Sequence, residues 1–110
     1  MEWNVHPANF VSQYMHYKNQ ITVLDVREEY EYEQYYLPGS MFVPLDDLHY
    51  KINKIPSNKP IYVICEHGIR SIQATMILYD AGYHDVYNVM GGFEKVLASP
   101  DLTIEKSPAS

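Results

Sequence analysis

The chain has 110 residues, enough for one compact domain and too few for two. Its 46% apolar and 20% charged content is that of an ordinary soluble globular protein, and a net charge of −6 without a basic stripe speaks against a nucleic-acid partner. One cysteine cannot close an internal disulfide, no run approaches the roughly 20 apolar residues of a membrane span, and MEWNVHPANF lacks the pattern of a leader peptide, so the expectation is a cytoplasmic protein with no membrane partner.

HPANFVSQYMHYKN predicts a first helix, with Pro7 suited to its first turn and Phe10, Val11, Tyr14 and Met15 as an apolar stripe. ITVLDV is a short apolar run rich in β-branched residues and reads as a buried strand. EEYEYEQYY is expected to form a short helix ending before the turn signal Pro38-Gly39. It holds several of the eleven tyrosines, read as half-buried rings on an amphipathic surface helix, since a base-stacking platform would want basic neighbours. MFVPL is a brief strand stopped by Pro44, LDDLHYKIN a small helix, PSNKP a loop, and IYVIC a second strongly buried strand. SIQATMILYDAGY places apolar residues at Ile72, Met76, Ile77 and Leu78, with Gly82 past its end as a C-cap, and reads as a helix. DVYNV is a further strand, MGG turns the chain, and FEKVL begins a last helix. The domain core is expected over about residues 5–98, with 99–110 as a polar tail that frays. Strands alternating with helices predict an α/β fold, a mostly parallel sheet with helices on both faces. Sites in such folds lie beyond the carboxyl ends of the strands, where ITVLDV leads to Asp25 and Arg27 and IYVI leads to Cys65.

The segment CEHGIRS, between a buried strand and a helix, carries the chemistry. Ser71 is expected as the N-cap of the helix, whose first N–H groups lack partners and carry partial positive charge. With Gly68 at positive φ, the loop amides can turn inward and form an anion nest, and Arg70 adds a fixed charge at its rim or locks the loop from outside. A cysteine opening such a loop is stabilised as the nucleophilic thiolate. A lone cysteine at a strand end is more often a small buried hydrophobe. The conjunction of Cys65, Gly68, Arg70, Ser71 and an amphipathic helix favours the nucleophile.

CEHGIRS resembles the C-x-x-G-x-[RT]-S loop of the rhodanese-like sulfurtransferases. LDVREEYEYEQYYLPGSMFVPLDDL is similar to that family's first signature, and GYHDVYNVMGGF to its later Gly-Tyr…Val…Gly-Gly stretch. The likeness runs from about Ile21 to Leu97, with all segments in family order. It implies a single rhodanese-like domain, a three-layer fold with a parallel five-stranded core. It further implies that Cys65 takes up a sulfane sulfur as a persulfide while the loop from Glu66 through His67, Gly68, Ile69 and Arg70 to Ser71 holds the charge. The outer sulfur then passes to a nucleophilic acceptor. The implied partners are a small sulfur donor or a protein persulfide, and a thiol acceptor. Asp25 and Arg27 match the family's Asp-Val-Arg and are expected to support the loop, orienting it or pairing with Glu31.

The chain departs from the family at three places. Tyr35 and Tyr36 replace a Gly-His pair, and Tyr36 is expected to close over the pocket. Val96 replaces a tryptophan, for which Phe93 compensates. Glu66 puts an acidic group where many thiosulfate-using members carry a basic one, which opposes a dianionic donor. His67 reads as an exposed loop residue that tunes local charge, with a proton shuttle as the other reading. His6, His16, His49 and His84 show no ligand spacing, so neither metal nor cofactor is expected. Two other functions compete with this one: a cysteine phosphatase, disfavoured because only four residues separate Cys65 from Arg70, and a catalytically silent interaction module, against which the retained Cys65, Gly68 and Arg70 speak.

Overall fold

Two strands are buried along almost their whole length, Thr22–Asp25 (β2) and Ile61–Ile64 (β4), and strands covered on both faces belong in the middle of a sheet. The computed structural model, which describes residues 3–100 and 102, pairs them in parallel from Thr22 opposite Ile61 to Asp25 opposite Ile64. Val86–Val89 (β5) lies on the other side of β4. Two-residue strands, Asn4–Val5 (β1) and Met41–Phe42 (β3), close the edges beside β5 and β2. The order is β1-β5-β4-β2-β3, with every pair parallel, the five-stranded core that the family resemblance implies. β1 has no apolar pattern and is not visible in the sequence. It is held by backbone bonds, Asn88 N–H to the Trp3 carbonyl at 2.7 Å and Met90 N–H to that of Val5 at 3.0 Å.

Strand alternation divides the core between the two faces. Leu24, Ile61, Val63 and Val86 meet Leu48 of α3 (Leu48–Lys51) and Ala74 and Leu78 of α4 (Arg70–Asp80). Val23, Ile64 and Val89 meet Phe10, Val11 and Tyr14 of α1 (Pro7–Tyr17) and Phe93 and Val96 of α5 (Gly92–Val96). Phe93 and Val96 are fully buried where the family tryptophan is absent.

The helices correct several expectations. α1 begins at Pro7 as read, capped by the His6 ring, whose Nδ1 accepts the Ala8 N–H at 3.1 Å. Met15 is 38% exposed and not part of the stripe. At 100° per residue it stands about 140° around the helix from Phe10, beyond the arc covered by Phe10, Val11 and Tyr14. The helix in EEYEYEQYY is a single turn, Glu29–Tyr32 (α2), held by a capping box between Glu28 and Glu31. α4 rests on the sheet through Ser71, Ala74, Thr75 and Leu78, while Ile72 and Met76 are exposed. Ser71, Ala74 and Thr75 are small, which suits a close approach of this helix to the strands, with Leu78 as the bulky apolar side chain on that face. Its end is a Schellman turn, with Gly82 N–H on the Tyr79 carbonyl and Tyr83 N–H on that of Leu78, both at 3.0 Å. The expected fraying of 99–110 falls largely outside the described residues. Among those residues, no helix is long and apolar enough to cross a membrane.

Candidate active site

Cys65 is the first residue past β4, on the carboxyl edge of the sheet, and only 1% exposed. The chain then turns back towards α4. Its Sγ accepts the N–H of Gly68 at 3.1 Å and that of Ser71 at 3.3 Å. Gly68 makes this possible at φ +86°, and a Cβ there would stand 2.7 Å from the backbone nitrogen of Gly91. The sulfur thus sits against two amide donors, beside the N-terminal end of an eleven-residue helix.

Ser71 is not the N-cap. α4 starts at Arg70 and Ile69 occupies the cap position, so Ser71 sits inside the first turn, facing the sheet. Its hydroxyl lies 3.4 Å from Sγ and donates to Asn88 Oδ1 at 2.5 Å, while Asn88 Nδ2 donates to Asn4 Oδ1 at 2.9 Å. A polar residue within the apolar strand DVYNV was the available signal for Asn88.

The loop is held from below by α5. The carbonyl of Cys65 accepts the Phe93 N–H at 2.9 Å, and that of Glu66 accepts the Glu94 N–H at 3.0 Å. This approach requires Gly92, at φ +58°, because a Cβ there would collide with the Cys65 carbonyl oxygen. The Gly-Gly pair read in the sequence as a turn is thus the seat of the loop.

A charged layer flanks the sulfur. Arg27 and Asp25 are both fully buried, with the carboxylate accepting from Nη2 at 2.8 Å and from Nε at 3.0 and 3.1 Å. Burial pushes the Asp25 carboxyl above its usual range, and the bonds from Arg27 oppose this. The same guanidinium lies 4.1 Å from the centre of the Phe93 ring and 5.0 Å from that of Tyr35, and donates to the Tyr35 carbonyl at 2.7 Å. Its contact with Glu31 is to the backbone carbonyl, at 3.4 Å. The expected Arg27–Glu31 ion pair is absent because the Glu31 carboxylate takes both nitrogens of Arg70, at 2.6 and 2.8 Å. Those bonds hold Glu31 below the usual glutamate value. Arg70 therefore reaches the site already paired.

Glu66 faces this layer. Its Oε1 accepts the Tyr35 hydroxyl at 2.6 Å and lies 3.6 Å from Arg27 Nη1. Burial, then the bond to Glu66, pushes the Tyr35 phenol up to about 12. Tyr36, expected over the pocket, instead stacks on Tyr32, ring centres 4.7 Å apart, and Tyr32 stacks on Phe42. The segment is extended at this point, so neighbouring side chains part to opposite sides and Tyr35 is the ring that reaches the loop. Ile69 is 71% exposed, and His67 is exposed with Nδ1 3.3 Å from Glu94 Oε1. No group of three or more His, Cys, Asp or Glu able to hold a metal occurs among the described residues.

A family model described as Rhodanese-like domain matches residues 8–99. The putative sulfur carrier protein YrkF of Bacillus subtilis is 38% identical over 72 residues, which are 66% of this chain but only 39% of YrkF. The thiosulfate sulfurtransferase GlpE of Coxiella burnetii is 32% identical over 77 residues, 70% of this chain and 72% of GlpE. The solved rhodanese-like domain of Alr3790 from Anabaena sp. superposes with a TM-score of 0.84 at 25% identity, covering 100% of this chain and 83% of that one.

Proposed function

The chain belongs to the rhodanese-like domain family, and from that premise we propose that it moves a sulfane sulfur through a persulfide on Cys65 to a thiophilic acceptor. The observation that carries this reading is the seat of the sulfur, with the Gly68 N–H of the loop and the Ser71 N–H of the first turn of α4 both aimed at Sγ. In the first step the Cys65 thiolate attacks the outer sulfur of the donor. A new S–S bond forms, the donor's own bond to that sulfur breaks, and the leaving group departs with the electron pair. In the second step the acceptor attacks the outer sulfur of the persulfide and Cys65 returns as thiolate. The donor is a small sulfane compound or a protein persulfide. The acceptor is a thiol, for which cyanide substitutes in an assay. The loop from Glu66 to Ser71 holds the anion, and Asp25 and Arg27 brace it from the neighbouring strand.

A silent interaction module is the rival reading, and the burial of Cys65, 1% exposed, is the observation in its favour. A phosphatase has less support, since the Arg70 guanidinium is engaged by Glu31. Mass spectrometry after separate incubations with thiosulfate and with the monoanion methanethiosulfonate separates the three. Sulfur transfer requires a gain of one sulfur atom on Cys65, its loss on adding cyanide, and no gain in Cys65→Ser. A wild-type protein that neither donor modifies, or equal turnover in the serine variant, would refute it.

A further inference from the structure

The guanidiniums of Arg27 and Arg70 are both taken up by carboxylates of the chain itself. Arg70 is held by Glu31, and Arg27 by Asp25 and, at 3.6 Å, by Glu66. Three carboxylates against two guanidiniums leave the layer with one net negative charge when all five are ionised. The surplus belongs to Glu66, which is partly exposed at the loop and tied by its hydrogen bond from Tyr35, 31 residues away in sequence. The Tyr35 ring is itself fixed, edge-on to Phe93 at 5.3 Å and over Arg27. The Glu66 carboxylate, on the residue next to Cys65, is therefore placed by built contacts and does not swing freely.

We infer that Tyr35 is a specificity-determining residue, clamping the Glu66 carboxylate against Arg27 so that the site takes sulfane donors of at most one negative charge, such as an alkyl or protein persulfide, in preference to dianions. This rests on the sulfur-transfer reading and names the donor class of that same site. The physical basis is Coulombic. A fixed negative charge near the reacting sulfur raises the barrier for a dianion more than for a monoanion of the same shape.

Thiosulfate and methanethiosulfonate make the comparison. Both deliver a terminal sulfur to a thiolate by the same substitution, releasing sulfite or methanesulfinate with the electron pair, and they differ by one unit of charge. The quantity measured is the ratio of kcat/KM for methanethiosulfonate over thiosulfate, with cyanide as acceptor. Glu66→Gln is expected to lower this ratio about fivefold, less at high salt. Tyr35→Phe keeps the ring and its packing but frees the carboxylate, and is expected to lower the ratio about two- to threefold in the wild-type background and not at all beside Glu66→Gln. A merely structural role for Tyr35 would slow both donors alike and leave the ratio unmoved, which overturns the inference. Equal shifts in the two backgrounds also overturn it. Failure of both donors to load wild-type Cys65 removes the sulfur-transfer reading and this one together. Loading with a ratio indifferent to Glu66 and Tyr35 removes this one alone.

Discussion

Gly92→Ala tests whether the loop is seated on α5. Gly92 lies at φ +58°, where an added Cβ would strike the Cys65 carbonyl oxygen and stand 2.8 Å from the carbonyl carbon of Glu66. Those atoms are backbone and cannot rotate aside. The left-handed conformation alone costs a non-glycine residue roughly 1–2 kcal/mol. Parting the loop from α5 also strains the bonds from Phe93 N–H to Cys65 and from Glu94 N–H to Glu66, worth about 1 kcal/mol each. The expected loss is therefore about 3–4 kcal/mol, a large share of the roughly 5–15 kcal/mol that holds a domain of this kind. Gly82→Ala is the control. Its φ of +101° is no kinder to alanine, but nothing lies within 4 Å of a Cβ there, so it carries the strain alone. In urea the Gly92 variant should unfold about 1 M earlier than the Gly82 variant, and load sulfur on Cys65 slowly even where it is folded. Equal midpoints for the two variants would refute the seating. Wild-type loading by folded Gly92→Ala would break its link to the site.

Two further outcomes follow from the charged layer. Arg70 holds the Glu31 carboxyl below its ordinary value of 4.5, so this pair stabilises the fold fully above that pH and loses its effect as pH falls through the lowered value. Glu31→Gln should cost about 1–2 kcal/mol near neutrality by urea titration, with the gap to wild type closing below pH 4.5; a gap that persists in acid would place the loss elsewhere. The Tyr35 phenol, pushed up to about 12 by burial and by its bond to Glu66, should titrate lower in Glu66→Gln, read from its ring carbon signal by NMR; an unmoved signal would deny that bond in solution.

What the sequence conveyed is local in character. β2 and β4 are apolar runs buried on both faces, a pattern that needs no partner to be recognised, and they lead to Asp25 at the end of β2 and Cys65 just past β4. From their parallel pairing the proximity of Arg27 and Cys65 follows. Glycine at the tight point of the loop is likewise a local demand, met at φ +86°. What stayed hidden depends on which distant group arrives first. Glu31 is four residues from Arg27 and 39 from Arg70, yet its carboxylate goes to Arg70, because Arg27 is already occupied by an aspartate two residues away. Tyr35 and Tyr36 are identical in composition and adjacent in sequence, and only the direction of an extended backbone decides which ring meets the loop. That choice alters what Glu66 means. On an unconstrained loop an acidic residue could turn to solvent and leave the sulfur's surroundings nearly unchanged. Bound to Tyr35 and close to Arg27, it is a fixed charge one residue from Cys65, and under the proposed sulfur transfer a donor would have to approach through that field.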